Sequence, residues 1–232
     1  MAKRRNERLR TDKAYNLHIV NRYDCGASGM PQIWGEDAAP QKLVSFNYSL
    51  SMSEEKKRGA FCHFFIDDYQ FERVWSHPEQ YVKTLGEFDG VLTPDFSLYV
   101  DMPLPMQAWN VYRSRALGHW WQDCGLKVIP TVGWSTSDSY DFCFDGLPVG
   151  SVIAVSTVGI MVDKEARELW SNGMKEAIKR LEPSCVVVYG KLPDFDFGGV
   201  STVSFQSGMT ERISQWADEV AARQGQEAKH EE

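Results

Sequence analysis

No stretch of this 232-residue chain stays apolar for the roughly 20 residues that a bilayer requires, so no membrane-spanning helix is expected. The amino terminus lacks the apolar core of a secretory signal, and the expected location is the cytoplasm. Cysteine is scarce and poorly spaced. Cys25, Cys62, Cys124, Cys143 and Cys185 are odd in number and no two form a C-x-x-C, which argues against a thiolate zinc site and for reduced thiols. The histidines His18, His63, His77, His119 and His230 have no metal-ligand spacing. There is no G-x-S-x-G and no Cys/His nucleophile signature. The Gly spacing and Lys of a P-loop are also missing, so a nucleoside triphosphatase of that kind is not expected. Positive charge is in deficit as well. A net charge of −7 argues against a broadly basic nucleic-acid surface, though not against a local one.

What is present is ordinary hydrophobic content at 43% and a rich supply of aromatics, with eight Trp, which suits packing of helices on a sheet. Residues 1–13 concentrate Lys3, Arg4, Arg5, Arg8, Arg10 and Lys13 against Glu7 and Asp12. This segment reads either as a solvated tail or as an arm that lies on phosphate, with nucleic acid as the partner through residues 3–13. The domain organisation expected is a basic flexible tail over 1–14, one β/α domain over 15–223 and a disordered polar tail over 224–232.

Five apolar runs rich in β-branched residues are expected as strands: 60–66, 90–94, 127–133, 151–156 and 185–190. They do not alternate apolar with polar, which is how strands buried on both faces of a parallel sheet read. Weaker strands are expected near Leu43–Ser51 and Val200–Phe205. Between the runs lie helical periods. One spans Asp163 to Leu181, with Asp163 as N-cap and Pro183 just past its end; a second spans Pro105 to Cys124. A helix is also expected over Thr210 to about Arg223. The fold class is therefore α/β, a parallel-stranded β/α core in a barrel-like or incomplete-barrel arrangement, with an open doubly wound sheet as the alternative.

In parallel β/α folds, sites sit beyond the carboxyl ends of the strands. That rule gathers Asp67, Asp68, Asp95 and Asp101 at one edge. Such carboxylates either cap helices and tie loops, or hold Mg²⁺ (Asp67 with Asp95) for phosphoryl chemistry, or serve as a general base (Asp95, Asp101). Ser97 follows Asp95 in the same loop. Asn110, Arg113 and Arg115 stand on the helix after it, where an inward Arg either pairs with Asp95 or Asp101, ties the helix to the preceding loop, or binds an anion. Trp134 ends a strand, where it closes the core or stacks a base or sugar. Ser156-Thr157-Val158-Gly159 is a small-residue turn whose backbone could cradle an anion. Gly26 to Gly29 offers a weaker version of the same device.

The run Thr93-Pro94-Asp95-Phe96-Ser97-Leu98-Tyr99 is followed by Asp101-Met102-Pro103 and by Gln107, Asn110, Tyr112, Arg113 and Arg115. Together with Val128-Ile129-Pro130, Trp134 and the Gly159 that follows Ser156-Thr157, it resembles a family known as domain of unknown function 4417. The resemblance covers roughly residues 67–190. It implies an origin in phages, prophages or other mobile elements and a shared fold, and it assigns no catalytic residue. The functional expectation is an accessory protein with a strand-end pocket for a small anionic, nucleotide-like ligand, with metal-assisted phosphoester chemistry within reach. The alternative is a non-catalytic module that binds protein or nucleic acid.

Overall fold

Apolar residues in unbroken runs need cover on both sides, and the chain supplies it by folding into parallel strands with helices on one face and a shared interior on the other. The structure is a computed structural model, and it describes residues 13, 15–21, 24–160 and 163–207. The basic residues 3–10, the helix expected over 210–223 and the tail 224–232 lie outside the described residues.

In chain order, after a 3-10 turn at Leu17–Ile19, the described elements are β1 (Leu43–Ser45), α1 (Phe46–Ser49), α2 (Glu54–Lys57), β2 (Phe61–His63), α3 (Asp68–Ser76) and α4 (Pro78–Leu85). They continue with β3 (Gly90–Leu92), α5 (Leu104–Asp123), β4 (Val128–Ile129) and α6 (Tyr140–Cys143). The series closes with β5 (Val152–Ser156), α7 (Lys164–Leu181), β6 (Cys185–Tyr189) and β7 (Ser201–Phe205). Every strand pairing is parallel. One sheet has the order β1-β2-β3-β4 and the other β5-β6-β7.

The seam between the sheets is a single parallel bridge, Thr131 with Ala154. Val132 N–H donates to the Ala154 carbonyl at 2.8 Å, and Ala154 N–H donates to the Pro130 carbonyl at 2.9 Å. Pro130 turns its carbonyl toward β5, so its missing N–H shortens the ladder on that side. On the β3 side, side chains extend the pairing past Ile129. Thr131 N–H donates to Thr93 Oγ1 at 2.8 Å, and Thr131 Oγ1 donates to the Thr93 carbonyl at 2.7 Å.

Spatial order thus follows chain order from β1 to β7. That contradicts the doubly wound alternative, which needs the strand order to reverse at a switch point. Right-handed crossovers taken always in one direction place all the helices on one side. Among the described residues no pairing joins β7 to β1, so the parallel β/α core is present without a closing ladder.

Alternation along each strand sorts the core into layers. Cys62, Val91 and Val128 face outward and meet Phe71, Val74, Leu85, Leu117 and Trp121 from α3, α4 and α5. Ile153, Val155, Val186 and Val188 face outward from the second sheet and meet Trp170, Met174, Ala177 and Leu181 of α7. Phe61, Leu92, Ile129, Val152, Ala154 and Val187 face inward into one cluster shared by both sheets. Full burial of such a side chain contributes roughly 1.5–3 kcal/mol, so this two-sided cover is the main stabilising feature of the fold.

The helix ends follow their sequence signals. Asp163 caps α7 by accepting from Ala166 N–H at 2.7 Å. His63, on β2, is buried as a core histidine. Its Nδ1 accepts from Phe65 N–H at 3.2 Å, its ring packs on Tyr189, and burial pushes its pKa down to about 3. Two short elements depart from expectation. After Ser45 the chain turns into α1, because Phe46 drops into the outer core against Phe64 and Tyr81 and does not continue the strand's alternation. The charged turn before Gly59 closes into one helical turn, α2. Among the described residues, no helix is long and apolar enough to cross a membrane.

Candidate ligand site at the strand ends

Beyond the carboxyl ends of β2 to β5 the strand-following loops leave a cavity of about 720 Å³. Its contributors are the segments after each strand: Phe65 to Asp67, Asp95 to Val100, Val132 to Ser135, and Ser156 with Val158 to Ile160. Ala166, Leu169 and Trp170 of α7 complete the wall. Tyr99, Val100 and Val158 are more than half exposed and form the mouth.

The loop after β3 is shaped by its tie to α3. The Asp68 carboxylate accepts from Ser97 N–H at 3.1 Å and 3.2 Å and from Ser97 Oγ at 2.9 Å. The Ser97 carbonyl accepts from Asn110 Nδ2 of α5 at 2.8 Å. Gln107 Nε2 donates to the Tyr99 carbonyl at 3.2 Å and the Met102 carbonyl at 2.7 Å, which fixes the rest of the loop. Asp95 emerges from this rigid loop at the inner end of the cavity. It accepts no hydrogen bond from any described residue. Protein surrounds it on all sides but one, where it keeps a surface toward the cavity. Burial first, and the Asp68 carboxylate second, push its pKa up to about 7.

Trp134 forms part of the wall through a close approach that only glycine permits. A Cβ at Gly173 of α7 would overlap the Trp134 ring. The indole N–H of Trp134 donates to the Leu169 carbonyl at 3.2 Å, and that of Trp170 donates to the Ser156 carbonyl at 3.1 Å.

Of the residues singled out in the sequence, Asp67, Asp95, Ser97, Trp134, Ser156 and Gly159 line this cavity. Asp101 is exposed in the loop before α5 and does not line it. Thr157 is buried behind the wall, with Oγ1 donating to the Lys191 carbonyl at 2.8 Å. Asn110 and Arg115 line a second cavity of about 20 Å³ that shares Asp95, Phe96, Leu98 and Gly133 with the first.

Arg113 pairs with neither Asp95 nor Asp101. It grips Glu72 of α3 with Nη1 at 2.7 Å and 2.8 Å, donates to Asn110 Oδ1 at 2.6 Å and stacks over Phe96 at 3.8 Å. Arg115 is buried and donates to the Thr131 and Cys143 carbonyls, and burial lowers its pKa to about 10. The glycine turn at Gly26 does hold an anion, but that anion is internal. Asp145 accepts from Ala27 N–H at 3.0 Å and Ser28 N–H at 2.7 Å, and a Cβ at Gly26 would overlap its carboxylate.

Lining residues that the sequence did not mark are Phe65, Ser135, Leu169 and Trp170, among others, while Phe96 and Tyr99 stand only in the run that carries the family resemblance. Phe65 lies just past the end of β2, so the strand-end rule could have named it. Leu169 and Trp170 carry no such signal. Among the described residues no three His, Cys, Asp or Glu side chains gather to hold a metal ion, so Asp67 and Asp95 stand as two carboxylates.

No solved structure matches the chain. Among curated proteins, it is 43% identical over 167 residues to the Gene 1 protein of Mycobacterium phage L5, covering 72% of this chain and 73% of that one. It is 40% identical over 163 residues to the Gene 1 protein of Mycobacterium phage D29, covering 70% of this chain and 60% of that one. The described strand-end loops all fall within residues 23–206, which match the family described as a domain of unknown function (DUF4417), and the chain belongs to that family.

Proposed function

We propose that this chain is a phage ligand-binding protein whose strand-end cavity takes one small molecule and exchanges a proton with it through Asp95. The observation that carries this reading is the state of that carboxylate. It is held on a rigid loop, has no hydrogen-bond partner among the described residues, faces a cavity of about 720 Å³ and titrates near neutrality. A carboxyl group with a pKa of about 7 is equally able to give and to take a proton at physiological pH, which is what a general acid or base requires. The cavity's size and aromatic walls suit a small organic ligand. Asp67 stands in the same lining, so a magnesium ion bound there would draw on these two carboxylates and complete its shell with water or ligand. The anionic ligand expected from the loop composition finds no support in the lining, which contains two carboxylates and no Lys, Arg or His.

The test is a thermal-shift screen of the full chain against small molecules, repeated with Gly133→Leu. Gly133 lines the cavity beside Asp95, and a Cβ there makes only ordinary contacts, 3.6 Å to Leu98 and 3.9 Å to Asp95. The variant is therefore expected to fold and to take up space beside Asp95. A ligand at a hundred times its dissociation constant adds about 2.7 kcal/mol of stability to the parent protein. Hits that Gly133→Leu retains in full bind elsewhere, and that result would sink the reading.

A further inference from the structure

The cavity's polar atoms are unequally divided between donors and acceptors. Ser97 directs both its N–H and its hydroxyl to Asp68. Ser135 directs its hydroxyl to Gln107 Oε1 at 2.5 Å, and Gln107 is itself held by the Tyr99 and Met102 carbonyls. The indole N–H groups of Trp134 and Trp170 point away, to the Leu169 and Ser156 carbonyls. Gln70 donates to Asp67 at 3.3 Å. Four of these residues thus turn donors into the protein and Gln70 gives one to the lining residue Asp67, which leaves the Ser156 and Tyr99 hydroxyls as side-chain donors beside the carboxylates of Asp67 and Asp95. No lining side chain is cationic, and Asp95 has no partner among the described residues.

A cavity with two carboxylates and no cationic side chain on its lining is incomplete until something with hydrogens to give enters it. A buried carboxylate needs a cation or a strong donor to offset its desolvation. Trp134 and Trp170 on the same lining suit that kind of guest, because the ring quadrupole is negative over the face. An anion would meet two carboxylates and negative ring faces together.

We infer that the cavity selects a small organic cation, an amine on an aromatic or apolar body, whose ammonium group meets Asp95 while the body lies among Phe65, Phe96, Trp134 and Trp170. This rests on the ligand-binding reading above and adds the charge class of the ligand. The charged groups around Asp95 are Asp67 in the same lining, Asp68, and Arg115, which lines the cavity of about 20 Å³ with Asp95 but gives its donors to the Thr131 and Cys143 carbonyls; the two carboxylates favour a cation.

The experiment is calorimetric titration of the full chain with three probes of one shape and different charge: tyramine, 4-ethylphenol and 4-hydroxyphenylacetate. Tyramine is expected to bind at least tenfold tighter than 4-ethylphenol, with 4-hydroxyphenylacetate weakest. Its amine and phenol titrate near 10, as those of Lys and Tyr do, so between pH 6 and 8 only the site changes charge. Tyramine affinity is expected to rise about tenfold over that interval as Asp95 ionises. Asp95→Asn is expected to lower tyramine affinity at least tenfold and to leave 4-ethylphenol unchanged, and Asp67→Asn to lower it less. Tightest binding by 4-hydroxyphenylacetate, or 4-ethylphenol binding as tightly as tyramine, overturns the charge assignment and leaves the cavity reading standing. Stabilisation by Mg²⁺ alone that Asp95→Asn abolishes also overturns it, in favour of a metal site. Failure of all three probes at millimolar concentration overturns the cavity reading itself.

Discussion

Asp68 holds Ser97 through three contacts of 2.9–3.2 Å, from one backbone N–H and one hydroxyl. Asp95, two residues before Ser97, accepts nothing from the described residues. Neighbouring carboxylates at one sheet edge therefore play opposite parts. The satisfied one fixes the loop, and the unsatisfied one is displayed by it.

Asp95→Asn is expected to stabilise the protein at high pH. Its folded pKa of about 7 lies above the ordinary 3.8, so between these values the folded state binds more protons than the unfolded state. Stability from this group is fully present below about pH 4 and is lost as pH rises through 7. At pH 8 the folded protein carries the cost of a buried charge, at most about 4 kcal/mol and less where cavity water reaches it. Urea unfolding at pH 4 and pH 8 checks this. The variant should match the parent at pH 4 and exceed it by about 1–3 kcal/mol at pH 8, and an equal difference at both pH values would contradict it.

Arg113→Lys is expected to destabilise the fold by about 2–3 kcal/mol without altering ligand affinity at the cavity. The guanidinium makes two bonds to Glu72 and one to Asn110 while stacking on Phe96, and an ammonium cannot reproduce that planar fork. Equilibrium unfolding combined with titration of a cavity ligand separates the two effects. A variant of parental stability with weakened binding would show the opposite assignment.

Gly173→Ala is expected to cost about 1–3 kcal/mol, because the added methyl overlaps the Trp134 ring and the ring is held by Leu169. Trp134→Phe combined with Gly173→Ala should recover part of the loss. Thermal unfolding of the single and double variants measures the recovery.

Asp145→Ala should loosen the turn at Gly26 to Ser28. It removes two hydrogen bonds of 2.7–3.0 Å to a charged acceptor, worth about 1–2 kcal/mol together on an exposed loop. Limited proteolysis near Ala27 should quicken in the variant, and an unchanged cleavage rate there would contradict the expectation.

The strands were legible because β-branched runs such as Cys185–Tyr189 have no polar face, and only two-sided cover explains that. The helix over Leu104–Asp123 and the cap at Asp163 were legible because period and capping are local properties. The strand-end rule pointed to the edge where the cavity lies, and Asp67, Asp95, Ser97 and Trp134 share its lining. It could not follow the loop from Pro94 to Pro103. That loop carries Asp101 away from the cavity, and its path is set by Gln107 on the next helix and by Asp68, which lies 29 residues before Ser97. The partner of Arg113 was illegible for the same reason, since Glu72 lies 41 residues upstream. The role of Trp170 depends on which face of α7 meets the loop after β5, a matter of tertiary packing that periodicity alone does not determine.

The cavity spans the seam where β4 meets β5 through two backbone hydrogen bonds, with Asp67 and Asp95 on one bank and Ser156 and Trp170 on the other. A short ladder is a compliant joint, and its amides are expected to exchange with solvent through local opening sooner than those at the centre of β6. A molecule lodged across the joint acts as a splint. Deuterium uptake at Val132 and Ala154 should then fall when the cavity is filled while uptake at Val187 stays the same, so occupancy can be followed at the backbone even where the bound molecule itself gives no signal.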